Sequence, residues 1–164
     1  MIRIRPFKPS DEERVLSFCR DGNTWYDWTA GVLGEWPAGP EQFHGTAELA
    51  RFTALEETTP VGFFTARNPG ETADELRFGF VILDPEKRGR GIGRAMISSG
   101  LDYAFLVYRA ERVTLGVFSD NLPAYFCYKA AGFRETGLRE RYTVRGRERT
   151  ALEMECLRED RAER

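Results

Sequence analysis

Between the apolar run Phe80-Val81-Ile82-Leu83 and a helical pattern that begins at Arg94 stands Arg88-Gly89-Arg90-Gly91-Ile92-Gly93. A strand that turns through three glycines into a helix has few uses in a fold. Glycine lets the backbone approach an anion closely, and the first N–H groups of a helix have no internal acceptor. Lys87, Arg88, Arg90 and Arg94 add positive charge around them. The pattern therefore reads as a phosphate cradle; the plain alternative is a strand-to-helix turn with its basic residues in solvent. Two better-known glycine motifs fail on these letters. No Lys-Ser/Thr pair follows the glycines, as a nucleotide P-loop requires, and a G-x-G-x-x-G frame started at Gly89 ends on Arg94. What remains is R-x-x-G-x-G.

About thirty residues on comes Asn121-Leu-Pro-Ala124-Tyr-Phe-Cys-Tyr128-Lys-Ala-Ala-Gly132-Phe133. The two segments together resemble the GNAT superfamily of acetyl-CoA-dependent N-acyltransferases. In that superfamily a glycine-rich pyrophosphate loop is followed by a strand and then by N-x-x-A-x-x-x-Y-x-x-x-G-F. The resemblance runs from Phe78 to Phe133. It implies an α/β (α+β) fold: a mixed, mostly antiparallel central sheet of six to seven strands, with a splayed parallel pair at the cofactor site and helices on both faces.

The local patterns are compatible with that fold. Ile2 to Arg5 alternates as an edge strand, and Ser10-x-x-Glu13 predicts a capping box that opens a helix. Residues 22–45 break into short helical pieces and loops and carry all three tryptophans, Trp25, Trp28 and Trp36. These aromatics either line an acceptor pocket or pack the outer wall of the core. Arg51 to Glu56, Val61 to Arg67 and Glu75 to Leu83 predict a meander, with a turn at Asn68-Pro69-Gly70. Pro85 removes a ladder donor where pairing should stop.

Ile97, Leu101, Ala104, Phe105 and Tyr108 then mark one buried helix face, in which Gly100 predicts a close backbone approach. A strand at Val113 to Val117 follows, then a helix bracketed by Pro123 and Gly132. The length of this strand-helix-strand unit predicts a parallel pair. A final hairpin, Glu135 to Tyr142 and Arg149 to Cys156, turns at Arg145-Gly146. Residues 1–157 are expected to form one domain, and the charged stretch 158–164 to fray.

The resemblance assigns roles. The backbone of Val81, Ile82 and Leu83 would pair with the pantetheine arm of acetyl-CoA, and amides near Val81 and Ile82 would polarise the thioester carbonyl. Arg88, Gly89, Arg90, Gly91, Ile92, Gly93 and Arg94 would meet the pyrophosphate. Asn121 would bond the cofactor arm, although Asn in that position is also an ordinary helix cap. Tyr128 would donate a proton or hydrogen bond to the departing thiolate; a free thiol ionises near ~8.5, which keeps that help modest.

The base is harder to place. Some relatives that modify protein N-termini carry Glu five residues before the motif Asn, where this chain has Gly116. Deprotonating a lysine-like amine at pH 7 costs ~4.6 kcal/mol, an α-amine only ~1 kcal/mol. An amine of low pKa, a water relay or a distant carboxylate would serve; Glu75, Asp74 and Glu35 are candidates, and His44 is the single imidazole. Cys127, next to Tyr128, has no partner in sequence for an acyl-cysteine route, so direct attack in a ternary complex is the simpler mechanism.

Composition bounds the rest. The 164 residues are 41% hydrophobic with twelve Phe, enough for a core, and the net charge of −2 speaks against a nucleic-acid partner. The N-terminus lacks a signal-peptide h-region and no run approaches a membrane span, so the cytoplasm is the default compartment. Cys19, Cys127 and Cys156, with one His, form neither a disulfide framework nor a zinc spacing, and no metal is expected.

Eight acidic residues between Glu35 and Glu75 could draw a cationic amine, or simply be a solvated face. The expected partner is thus a small-molecule amine. A peptide acceptor is supported by Gly137-Leu-Arg139-Glu-Arg-Tyr142, which is similar to the tail of ribosomal-protein-acetylating relatives. A non-catalytic acyl-CoA-binding module is the third class, disfavoured by Tyr128. Dimerisation through the last strands is common in the superfamily and is left open by the sequence.

Overall fold

The computed structural model describes residues 1–70 and 72–162. Seven strands form one sheet: β1 (Ile2–Pro6), β2 (Ala50–Glu56), β3 (Thr59–Arg67), β4 (Glu75–Leu83), β5 (Arg112–Phe118), β6 (Arg134–Val144) and β7 (Arg147–Leu157). Their order is β1-β2-β3-β4-β5-β7-β6. Every neighbouring pair is antiparallel except β4 and β5. The hairpin β6–β7 turns at Arg145 and Gly146, both at positive φ, as a tight hairpin demands. It inserts β7 between β5 and β6, so the strand that follows β5 in sequence is not its sheet neighbour.

Two cores lie on opposite faces. On one, α4 (Ile92–Asp102) and α5 (Leu122–Ala131) cover a largely aliphatic set that includes Val61, Met96, Ile97, Leu101 and Leu115. The expected close approach at Gly100 is present: a Cβ there would lie 2.9 Å from Phe64 Cζ and 3.1 Å from Phe78 Cε2. On the other face, α1 (Glu12–Ser17), α2 (Gly22–Thr29) and α3 (Pro40–Phe43) cover an aromatic core. Trp28 and Phe43 both pack on Phe63, with ring centroids 6.3 Å and 5.2 Å away.

Three expectations are corrected by these packing details. The entry to α1 is fixed by Asp11 rather than by Ser10 and Glu13. The buried Asp11 carboxylate accepts from the Lys8 N–H at 2.9 Å, from Arg5 at 2.7 and 2.9 Å and from Thr53 at 2.8 Å, joining the helix to β1 and β2. Burial alone would raise its pKa, but these donors outweigh it and bring the carboxyl down to about 2.

Tyr108 does not belong to the buried face. The chain winds as a π-helical turn over Tyr103–Val107, with the Tyr108 N–H reaching back to the Tyr103 carbonyl, and the extra residue rotates Tyr108 outward to accept from Asn68 Nδ2. Finally, Arg158–Ala162 form a short helix, α6, instead of fraying. Arg161 bonds Asp102 at 2.7 Å and the Ser98 carbonyl at 3.0 Å, tying α6 to α4. Residues 163–164 of the expected frayed tail lie outside the described residues.

Candidate active site

Pairing between β4 and β5 covers only Glu75, Leu76 and Arg77 opposite Arg112, Val113 and Thr114. Beyond it the strands part, and a bulge explains why. Thr65 of β3 opposes Gly79 and Phe63 opposes Ile82, so β4 carries one extra residue between those pairs. Phe80 takes φ +47°, a region costly for a bulky side chain, and its carbonyl accepts from Trp28 Nε1 at 2.8 Å. This bond helps hold the strained residue in place. Val81, Ile82 and Leu83 therefore reach the cleft with no strand partner on the β5 side among the described residues.

The cradle follows directly. The buried Asp84 accepts from the Glu86 N–H at 3.0 Å and from Arg14 of α1 at 2.7 Å, fixing a short 3₁₀ turn, Pro85–Lys87. Gly89 and Gly91 stand at φ +75° and +76°, and Gly91 caps α4 in the left-handed conformation. The amides of Ile92, Gly93 and Arg94 come before the first intrahelical bond, Ala95 N–H to Gly91 carbonyl, and so have no acceptor within the helix. Gly93 also brings α4 against α5, since a Cβ there would lie 3.2 Å from Cys127 Sγ.

The four basic residues divide in two. Arg88 and Arg94 line the cleft without an ion pair among the described residues. Lys87 and Arg90 instead clasp Glu56 at 2.7 and 3.1 Å, and neither lines the cleft.

Strand fork and cradle open into a single cleft of about 770 Å³. Tyr128 lies in its wall, packed edge-on against Phe133 at 6.1 Å, and its hydroxyl has no protein hydrogen bond among the described residues. Burial raises its pKa well above that of a free phenol, which keeps it a donor throughout the usual pH range. Asn121 lines the same cleft, and its side chain accepts from the Ala124 N–H at 3.4 Å, the capping role that its residue type suggested. Cys127 is half-buried with its pKa raised by burial, a poor setting for a thiolate nucleophile.

The candidate bases are not brought here. Glu75 sits at the far end of β4, six residues or ~20 Å along the strand from Val81, where it pairs with Arg112 at 3.2 Å and accepts from Thr114. Asp74 precedes it, and its carbonyl receives the Glu111 and Arg112 amides. Glu35 is exposed, and His44 bonds Glu12 at 2.6 Å; neither lines the cleft. Of the acidic residues between Glu35 and Glu75, none that is described faces the cleft, and Glu71 lies outside the described residues.

Instead the second half of the cleft is walled by Asp27 and Trp28 of α2, Arg67 of β3, Arg77 of β4 and Tyr142 of β6. The tryptophans split between the two expected roles: Trp28 reaches the cleft, whereas Trp25 is buried against it at 5.6 Å, edge to face. Sequence reasoning missed Asp27, Arg67 and Arg77. The pairs that orient two of them, Arg77–Glu153 and Asp27–Arg149, span 76 and 122 positions.

The model of the acetyltransferase (GNAT) family matches residues 14–133. The chain belongs to this family. The spermidine N(1)-acetyltransferase of Vibrio cholerae is 33% identical over 78 residues, 47% of this chain and 45% of that protein. The N-alpha-acetyltransferase RimI of Mycobacterium tuberculosis is 38% identical over 85 residues, 51% of each. The chain thus matches about half the length of these curated relatives. In fold it is similar to a crystal structure of spermidine N-acetyltransferase from Vibrio cholerae in complex with CoA and spermine, with a TM-score of 0.80, 21% identity and coverage of 97% and 96% of the two chains.

Proposed function

We propose that the chain transfers an acetyl group from acetyl-CoA to the primary amine of a small molecule, by direct attack in a ternary complex. The observation that carries this reading is the single cleft in which the glycine cradle, the strand fork and the Tyr128 hydroxyl meet, with a second half left for an acceptor. Cradle amides with Arg88 and Arg94 suit a pyrophosphate. The unpaired edge of Val81 to Leu83 suits a pantetheine amide, and an N–H there suits the thioester oxygen.

The amine nitrogen bonds to the acetyl carbon and the carbon–sulfur bond breaks. Tyr128 then donates to the leaving sulfur, and the proton lost by nitrogen goes to water, since among the described residues no carboxylate lines the cleft except Asp27, which Arg149 holds. This favours an acceptor amine of lowered pKa. Among the described residues no helix is long and apolar enough to cross a membrane, and the cytoplasm stays the proposed compartment. A peptide acceptor is the second reading, favoured by Tyr142 of the Gly137–Tyr142 segment facing the cleft. Homodimerisation is proposed from the resemblance alone.

The test follows free-thiol release from acetyl-CoA with polyamines, aminoglycosides, amino acids and short peptides. Amine-dependent release with free amines supports the first reading, and release with peptides alone the second. Tight acetyl-CoA binding with no release from any acceptor would leave only a binding module.

A further inference from the structure

The ionisable lining of the cleft is unbalanced. Among the described residues it presents Arg67, Arg77, Arg88 and Arg94 against a single carboxylate, Asp27. Arg88 and Arg94 belong to the cradle and Arg77 is answered by Glu153, so Arg67 is the surplus charge of the other half. Asp27 does not offset it, because its Oδ1 is held at 2.7 Å by Arg149, which also grips Asp120 at 2.6 Å.

Arg67 and Arg77 are direct register partners across β3 and β4. Cross-strand partners project from the same face with Cβ atoms ~5 Å apart, and like charges so placed repel. One carboxylate answers two guanidinium groups here: Glu153 bonds Arg77 at 2.5 and 3.1 Å, while Arg67 is exposed and has no ion pair among the described residues. The neighbouring strand leaves room for this arrangement. Gly116 lies opposite Glu153 in register, and a Cβ on Gly116 would come within 3.2 Å of Arg77 Nη2. The absence of a side chain at 116 lets the Arg77 guanidinium lie over β5 and form part of the cleft wall.

We propose that the acceptor carries a carboxylate beside its reactive amine, and that Arg67 and Arg77 hold that carboxylate. The inference rests on the acetyl-transfer reading and narrows it to amino-acid-like acceptors, setting polyamines aside. Arg67 supplies the unanswered positive charge, and Arg77 has N–H donors beyond those given to Glu153 and Thr114, which together suit a carboxylate, whereas a polycation would meet net positive charge on this wall.

The experiment measures kcat/KM by thiol release for matched acceptors that differ only in the carboxylate: phenylalanine against 2-phenylethylamine, and methionine against 3-(methylthio)propylamine, with spermidine alongside. Acetyl-CoA binding is titrated separately. The carboxylate-bearing member of at least one pair is expected to be preferred by about tenfold or more, a charge-assisted bond's worth. Arg67→Gln should collapse that preference towards unity, mainly through KM. Because Arg77→Gln alone strands Glu153, the double change Arg77→Gln/Glu153→Gln serves as the second variant, with its melting temperature as the folding control.

Equal or better turnover of the decarboxylated amines or of spermidine overturns the carboxylate site and leaves acetyl transfer standing. A preference that survives both variants, in folded protein, also overturns it. Binding of acetyl-CoA with no turnover in either series overturns this inference and the acetyl-transfer reading together.

Discussion

The two faces of the sheet are built by different means. The α4–α5 face, which carries the cradle and Tyr128, works largely through backbone: amides at a helix start, glycines at positive φ and an unpaired strand edge. The α1–α3 face, which carries the half proposed for the acceptor, works through side chains paired over long distances, Arg77 with Glu153 and Asp27 with Arg149. Backbone recognition leaves its mark in local spacing, while side-chain recognition is decided by which strands the topology brings together.

The largest expected effect separates chemistry from architecture on the first face. Tyr128→Phe should lower kcat by about 100-fold, the low end for a proton donor because a thiolate already leaves tolerably, while acetyl-CoA affinity and near-ultraviolet circular dichroism stay close to wild type. Burial raises the Tyr128 pKa, so kcat/KM should climb with pH as the amine deprotonates, with no falling limb from this phenol up to about pH 10, the ordinary phenol value.

On the second face the corresponding test is of stability. The depressed Asp11 carboxyl contributes about 2 kcal/mol, which is fully present above its unfolded value near 3.8 and lost as pH falls towards 2. Denaturant titration of wild type and Asp11→Asn should show a gap of that size at pH 7 that closes through this window. A gap of equal size at about pH 2.5 would refute the linkage.

Two smaller effects return to the α4–α5 face. Arg94→Ala should weaken acetyl-CoA binding by about tenfold, as the loss of one charged contact would, and Arg90→Ala by no more than about threefold, because its guanidinium is already committed to Glu56. Equal losses would mean that both arginines turn to the ligand. Gly100→Ala should cost about 1 kcal/mol net in denaturant titration, the crowding of Phe64 and Phe78 outweighing the gain in helix propensity.

This contrast also sets how far the sequence could be read. The strand-helix-strand unit, the cradle, the Gly100 approach and the Arg145-Gly146 hairpin each follow from period, glycine or proline placement over short stretches of chain. The bulge at Phe80 was not legible, because a Phe at positive φ depends on Trp28, 52 positions away, donating to its carbonyl. The π-turn that exposes Tyr108 adds one residue to a helix whose apolar spacing looked regular. The acidic stretch from Glu35 to Glu75 stays between two readings in the sequence for a related reason: composition counts charges but cannot say which way they face, and none of its described carboxylates lines the cleft, as the solvated-face reading has it.

The central claim is that the glycine cradle holds a pyrophosphate. It is tested most directly by calorimetric titration of acetyl-CoA against S-acetylpantetheine, which keeps the thioester and pantetheine arm but lacks the nucleotide and its phosphates. Acetyl-CoA should bind at least about 100-fold more tightly, two or more charge-assisted contacts being lost with the phosphates, and the difference should shrink in Arg88→Ala/Arg94→Ala. Equal affinities for the two thioesters would contradict the account.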